Sequence, residues 1–351
     1  QAEKQVSLKS ILLIGNHLST EHSNKNVWHY MAEKLSARGW QVITTSSQQN
    51  QALRLIDMLH TIYAQRREYA LAQIDVFSGK AFIFAEACAK LLKWLRKPIV
   101  LTLHGGGLPE FAAKHPLRVQ HLFQRADALV TPSPFLQNSL RQYSSEIHLI
   151  NNPIDISQGI YRQRSSPQPK LIWVRAFHEI YNPEMALRVL ADLQPEFPES
   201  HLTMIGPVKS HACMQSVRTL AAQMQHDHHV EIITGIPHDQ VSAFLDKADI
   251  FINTSNYDTA PRSLLEAMLN GLCVISTNVG GIPYLGIDGQ EFLLVPPGDH
   301  LAMADAIRRV LTEPELAAKL SSNAHKKVEQ DDWSIILPQW ENLFLDLIGH
   351  E

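Results

Sequence analysis

Short apolar, β-branched runs alternate with longer amphipathic ones along the whole chain, and that alternation predicts an α/β fold of two doubly wound domains. Two further observations support it. A length of 351 residues exceeds what a single core usually serves. The segment 158–170, rich in Gln, Ser, Pro and Arg, has no hydrophobic period and divides the alternation into two series.

The first series of expected strands is Ile11–Gly15, Gln41–Thr45, Ile74–Ser78, Ile99–Leu103, Ala128–Thr131 and Ile147–Ile150. The second is Leu171–Arg175, Leu202–Ile205, Glu231–Thr234, Ile250–Asn253, Cys273–Ser276 and Phe292–Val295. The expected division is therefore a first domain over 1–157, a linker over 158–170, a second domain over 171–330 and a closing helix over 331–351. That helix carries Trp333 and Trp340. A helix Val27–Arg38 follows the first strand after a polar loop, 16–26.

Composition narrows the class of function. With 45% hydrophobic and 19% charged residues the chain reads as folded and globular, not disordered. A formal net charge of -4 gives no electrostatic reason to expect a nucleic acid partner. Cys88, Cys213 and Cys273 are far apart and fit no metal or disulfide spacing, so buried thiols and a reducing cytoplasm are expected. No apolar run approaches the roughly 20 residues that span a bilayer, and no signal-peptide pattern is present. Gln1 in place of methionine is expected to reflect processing or an artificial junction. His226-Asp-His-His229 lies in a polar stretch between helix and strand and is expected to be a solvated turn. Without Asp-x-Asp in the segments singled out below, no bound metal is required.

In doubly wound sheets ligands collect at the carboxyl ends of strands, where loops and helix N-termini gather. Several candidates fall there in the second series. Arg175 closes one strand, Gly206-Pro-Val-Lys209 follows the next, and Gly280-Gly281 follows Cys273–Ser276. The most informative stretch is Asn256-Tyr-Asp-Thr-Ala-Pro-Arg-Ser-Leu-Leu-Glu-Ala-Met-Leu-Asn-Gly271, which places Asp258 and Glu266 about a proline-initiated helix start. Carboxylates accept hydrogen bonds from vicinal hydroxyls, while helix N-termini and Gly-rich turns present amides to negative charge. The combination suits a ligand with both hydroxyls and phosphate. There is no GxGxxG, which argues against a dinucleotide dehydrogenase.

This stretch, with Val174-Arg175, Val279-Gly-Gly-Ile-Pro283 and Leu294-Val-Pro-Pro-Gly-Asp299, resembles the retaining family 4 glycosyltransferases, or glycosyl transferases group 1. The resemblance implies a GT-B fold, two Rossmann-like domains facing a central cleft, and no metal or other cofactor beyond a nucleotide sugar co-substrate. On the same resemblance the closing helix is expected to cross back to the first domain, with Trp333 and Trp340 as packing residues. It implies that Glu266 accepts hydrogen bonds from ribose and that Asp258 contacts the transferred sugar. Amides about Thr259 and Ala260, with Gly280 and Gly281, would meet sugar or phosphate, and Arg175 would clamp the diphosphate. Two positions depart from the family pattern. Its first acid is glutamate where this chain has Asp258, and it has a lysine about five or six residues beyond the arginine, where Arg175-Ala-Phe-His-Glu-Ile-Tyr-Asn-Pro183 has none. Lys209 is expected to supply part of that charge, with His178 the other nearby substitute.

On the first domain, Leu101-Thr-Leu-His104-Gly-Gly-Gly-Leu-Pro-Glu-Phe111 runs from a buried strand straight into glycines, which admit close approach of a ligand. The resemblance implies that His104 orients donor or acceptor, beside Gly105 and Gly106, with Glu110 a candidate acceptor contact. Asn16, Ser23 and Asn24 stand in the loop where the family commonly has a glycine pair near donor phosphate. Ser133 and Asn152-Pro153 are explained by turn formation alone. The basic stretch Lys90-Leu-Leu-Lys-Trp-Leu-Arg-Lys97 is either an ordinary surface helix or a weak peripheral contact with the inner face of a membrane. The expected function is transfer of a sugar, with retention, to a glycan, lipid-linked or small-molecule acceptor. The alternatives are a non-catalytic sugar-nucleotide sensor or partner subunit and a sugar-nucleotide epimerase on the same fold.

Overall fold

A computed structural model describes residues 9–15, 27–224 and 229–349. Asn16, Ser23, Asn24 and most of the His226–His229 cluster lie outside the described residues. The chain divides into two compact units, Gln1–Pro153 with Trp333–Glu351, and Ile154–Asp332.

The first unit is a parallel sheet of β1 (Ser10–Ile14), β2 (Gln41–Thr45), β3 (Leu71–Val76), β4 (Ile99–Leu103), β5 (Ala128–Thr131) and β6 (His148–Leu149), in the order β2-β1-β3-β4-β5-β6. Its helices are α1 (Val27–Ala37), α2 (Gln51–Ala64), α3 (Phe82–Trp94), α4 (Leu108–Lys114), α5 (Pro116–Phe123) and α6 (Pro134–Leu140). The second sheet comprises β7 (Lys170–Val174), β8 (His201–Ile205), β9 (Val230–Ile233), β10 (Ile250–Asn253), β11 (Cys273–Thr277) and β12 (Leu293–Val295), ordered β12-β11-β10-β7-β8-β9. Around it lie α7 (Pro183–Leu193), α8 (His211–Gln223), α9 (Val241–Lys247), α10 (Arg262–Leu269), α11 (His300–Thr312) and α12 (Pro314–Glu329). The last helix, α13 (Trp333–Gly349), belongs to the first unit.

Both sheets are parallel throughout, and each core lies between sheet and helices. β1, β4 and β11 are buried at every position, which is why they read as unbroken apolar runs rather than as alternating ones. The helix starts follow local chemistry. Asn50, Ser133, Ser210 and Asp299 accept from backbone amides in the first turns of α2, α6, α8 and α11. The strand order reverses between β1 and β3 in one sheet and between β7 and β10 in the other. At such a switch point the flanking connections leave in opposite directions and open a crevice at the strands' carboxyl ends.

Trp333 and Trp340 are buried in one apolar cluster with Trp28, Trp40 and Phe344. Glu341 on the same helix accepts from Trp40 Nε1 at 2.9 Å and from Arg38. The stretch Lys90–Lys97 is partly engaged within its own unit. Lys93 pairs with Asp127 at 3.6 Å and Lys97 donates to the Tyr69 carbonyl at 2.8 Å, while Trp94 is exposed and stacked on Tyr63. No helix among the described residues is long and apolar enough to cross a membrane. Burial pushes the Cys88 and Cys273 thiols up to about 12, so both remain protonated packing groups.

The expected linker 158–170 is instead anchored on the second unit by a buried cation. The Arg164 side chain is fully enclosed. Its Nη1 donates to the carbonyls of Arg162 and Asn270, and Nη2 to those of Leu245, Asp246 and Ala248. All but that of Arg162 gather where α9 and α10 end, so the cation meets the negative ends of two helix dipoles. Burial lowers the Arg164 pKa, Arg162 lowers it further, and Asp249 at 3.4 Å opposes both. Arg164→Ala is expected to cost about 3 kcal/mol or more, because it strands these acceptors in the interior. The urea midpoint should fall and amides at 245–249 and 268–271 should lose protection from hydrogen exchange; an unchanged midpoint would refute the anchoring role.

Candidate functional site

The chemistry of the second unit gathers on the strands flanking its switch point. Arg175 follows β7 directly, and Asp258 lies in the loop between β10 and α10. The two form an ion pair, with side chains 18% and 9% exposed. The Arg175 guanidinium also lies over the Tyr181 ring, 4.5 Å from its centre, and its Nε is buried without a hydrogen-bond partner among the described residues. Burial lowers the Arg175 pKa, and Tyr181 and Glu266 oppose that shift. A half-satisfied guanidinium at the carboxyl end of a sheet can accept an anion without first giving up a full hydrogen-bond set.

The loop that carries Asp258 is held by backbone. Asp258 Oδ1 accepts from the Thr259 amide at 2.9 Å, and its carbonyl accepts from Gly281 at 2.9 Å. This close approach needs the glycine pair. A Cβ at Gly280 would lie 2.0 Å from the Asp258 carbonyl oxygen, and one at Gly281 would lie 1.9 Å from that of Thr259. Gly280 also takes a positive φ of 54°. Ala260 precedes Pro261, the N-cap residue of α10.

Glu266 stands on α10 with its side chain 13% exposed. Its Oε1 accepts from Arg262 Nε at 2.8 Å, one helical turn back, and faces His238 Nε2 at 2.9 Å. His238 opens a short 3₁₀ turn, His238–Gln240, between β9 and α9. Of the two cations expected to replace the missing lysine, Lys209 is exposed and has no ion pair among the described residues. His178 is half-exposed and accepts the Ile180 amide at 3.2 Å. Ile180 and Tyr181 stand five and six residues beyond Arg175, where the resemblance expects the lysine, and Tyr181 is the one that lies against the guanidinium.

In the first unit, His104 leaves β4 with its ring stacked on Phe77, centroids 5.2 Å apart, and edge-on to Trp28 at 6.3 Å. Its Nε2 lies 3.2 Å from Asp75 Oδ1, which also accepts from Gln73 Nε2 at 2.9 Å. A carboxylate only accepts, so Nε2 carries the proton and Nδ1 is the ring nitrogen left for another partner. Asp75 sits on β3 beside the first switch point, where a Cβ on Gly15 would come within 2.5 Å of its Oδ2. Gly105 turns the chain at φ 79° ahead of Gly106, and Glu110 is exposed and hydrogen-bonded by Lys114, which lowers its pKa.

Sequence reasoning missed Asp75, Tyr181 and His238. Asp75 had a signal, since an acid inside the strand Leu71–Val76 needs a partner. His238 and Tyr181 had none, because what they touch is brought to them by the fold. No group of three or more potential metal ligands occurs among the described residues.

Two doubly wound units, one with a cation, two carboxylates and a glycine-lined turn at its switch point, define the class of GT-B glycosyltransferases. Residues 161–327 match Glycosyl transferases group 1 and residues 25–158 match Glycosyltransferase Family 4; the chain belongs to this family. Glycogen synthase of Mycobacterium tuberculosis is 23% identical over 297 residues, which cover 77% of this chain and 68% of that protein. Sucrose-phosphate synthase from Thermosynechococcus elongatus has a similar structure, with a TM-score of 0.78 at 20% identity over 98% of this chain and all of that one. Anabaena Alr3699/HepE, in complex with UDP-glucose, gives 0.73 at 16% identity over 95% and 99% of the two chains. The structural likenesses bear on the fold, and the family makes the protein a glycosyltransferase.

The glycine pair yields a test that needs no ligand. Gly281→Ala is expected to destabilise the second unit by about 1–3 kcal/mol, the range for forcing a methyl into a packed site. Its own amide, which donates to Asp258, should lose protection from hydrogen exchange. Unchanged protection would mean the loop tolerates separation.

Proposed function

We infer that the protein moves a sugar from a nucleoside diphosphate sugar to a hydroxyl of a glycan, lipid-linked or small-molecule acceptor, with retention of configuration. The observation that carries this reading is Arg175, only partly satisfied, at the second switch point beside Asp258, Glu266 and the Gly280-Gly281 turn. The planar guanidinium suits diphosphate oxygens, and Glu266 suits the vicinal hydroxyls of ribose. The UDP-glucose complex of the related fold supports this choice of ligand class.

Arg175 is engaged by Asp258 before any ligand arrives. An incoming diphosphate takes the aspartate's place on the guanidinium, and the released carboxylate turns to hydroxyls of the transferred sugar. One exchange thus prepares both groups. Lys209 adds charge as the bond between anomeric carbon and phosphate oxygen breaks and its electron pair passes to the diphosphate. The acceptor oxygen bonds to that carbon on the same face, and its proton passes to a phosphate oxygen. His104, held by Asp75, orients a sugar through its remaining ring nitrogen.

Titration calorimetry with UDP-, GDP- and ADP-sugars is expected to find a donor that Glu266→Ala and Arg175→Ala each bind at least about tenfold more weakly, 1.4 kcal/mol per decade. Lys209→Ala should weaken it less. Absence of binding by every donor would end the transferase reading, and an equatorial product from an axial donor would overturn retention. Tyr181 in place of the lysine favours one other reading, a non-catalytic sensor, which predicts binding with neither transfer nor hydrolysis.

The exchange at Arg175 has its own signature. Asp258→Asn removes the competing charge and should tighten nucleoside diphosphate binding about fivefold, while slowing transfer by about a hundredfold. Weaker nucleotide binding in that variant would rule the exchange out.

A further inference from the structure

We propose that His238 is a positioning residue for nucleotide recognition, fixing the Glu266 carboxylate so that one defined oxygen meets the ribose. This rests on the reading of Glu266 as the ribose acceptor and names the device that orients it.

The two oxygens of the Glu266 carboxylate are not equivalent. Glu266 Oε1 accepts from Arg262 Nε at 2.8 Å and makes an ion-pair contact with His238 Nε2 at 2.9 Å. Oε2 has no partner among the described residues and is absent from the buried, unsatisfied polar atoms. A carboxylate with two free oxygens can swing about its last torsion, which is broad and roughly two-fold. A hydrogen bond and an ion-pair contact on one oxygen restrict that freedom and leave the other oxygen's lone pairs for a vicinal diol to donate to.

The two contacts also differ. Arg262 lies on α10 with Glu266 at the i,i+4 spacing of ordinary surface pairs, and it is 38% exposed. His238 comes from a separate element, 27% exposed, delivered by the turn after β9 behind Gly235, whose φ is 76°, and Pro237. Its ring is shorter and stiffer than an arginine stem, so it fixes the carboxylate against an independent part of the unit. Arg262 alone would hold Glu266 only to its own helix. On this assignment His238 acts through Glu266, so its effect follows the ribose hydroxyls.

The test is a cycle between protein and ligand. UDP, GDP and ADP, each beside its 2′,3′-dideoxy form, are titrated into the parent protein, His238→Ala, His238→Gln and Glu266→Ala. His238→Ala is expected to weaken the ribonucleotide about tenfold, the scale of one charge-assisted hydrogen bond, and to leave the dideoxy form unchanged. His238→Gln, which keeps a side-chain N–H, should recover most of the loss. Suppose Glu266→Ala discriminates between the two forms but His238→Ala weakens both equally or neither. Then the positioning role fails while the ribose reading stands. If Glu266→Ala itself weakens both forms equally, or if no ribonucleotide binds the parent protein, the ribose reading falls and this assignment falls with it.

Discussion

A guanidinium taken out of water must be met by acceptors, and the second unit meets its two enclosed arginines differently. Arg164 gives both terminal nitrogens to five carbonyls, and its Nε, like that of Arg175 without a hydrogen bond, lies 3.4 Å from Asp249. Nothing is left on those nitrogens for a ligand, and the cation serves as a clasp between two helix ends and the segment leading into β7. Arg175 has one carboxylate, one aromatic face and a bare Nε. The first arrangement approaches the full compensation that burial of charge demands. The second falls short of it, at the place in the sheet where an anion can make up the difference. The clasp holds the carboxyl end of α10, whose amino end follows the loop that carries Asp258 to the open cation.

The fold was largely legible because both sheets are parallel and buried. Such strands must be apolar on both faces, so they stand out from the amphipathic helices whatever the details of packing. Gln41–Thr45, Ile99–Leu103, Ala128–Thr131 and Ile250–Asn253 were bounded as observed. The largest displacement is β3, expected over Ile74–Ser78 and found over Leu71–Val76. The β-branched pair around Asp75 drew the expectation toward the carboxyl end, whereas pairing with β4 begins at Ala72. β6 shrinks to His148–Leu149 because it lies at the edge of the sheet, where only β5 pairs with it.

Much less of the site could be read. Arg175, Asp258, Glu266 and the glycine pair could be singled out because each sits at a strand end or in a motif with a fixed spacing. Partners were not, because contacts such as His238 to Glu266 or Asp75 to His104 join residues remote in sequence, through turns whose direction no local pattern encodes. The anchoring of the segment 158–170 could not be read for a related reason. Its composition is that of a solvated connection, but the acceptors that bury Arg164 belong to helices that begin well over seventy residues later.

The two departures from the family pattern meet on one side chain. Asp258 stands where the resemblance expects glutamate, and Tyr181 where it expects lysine; the first pairs with the Arg175 guanidinium and the second lies against its face. A lysine in Tyr181's place would repel Arg175, and burial already disfavours the charged form of that arginine. An aromatic ring removes the repulsion and adds a weak attraction of its own. The loss of a second cation then leaves Arg175 as the principal charge at the switch point, where one short carboxylate, hydrogen-bonded by the Thr259 amide on a backbone held by Gly281, suffices to balance it. A longer acid on the same rigid backbone would have to fold back to make that contact. The aspartate and the tyrosine are therefore consistent with a single coupled change in how one buried cation is held, rather than with two separate losses from a site falling out of use.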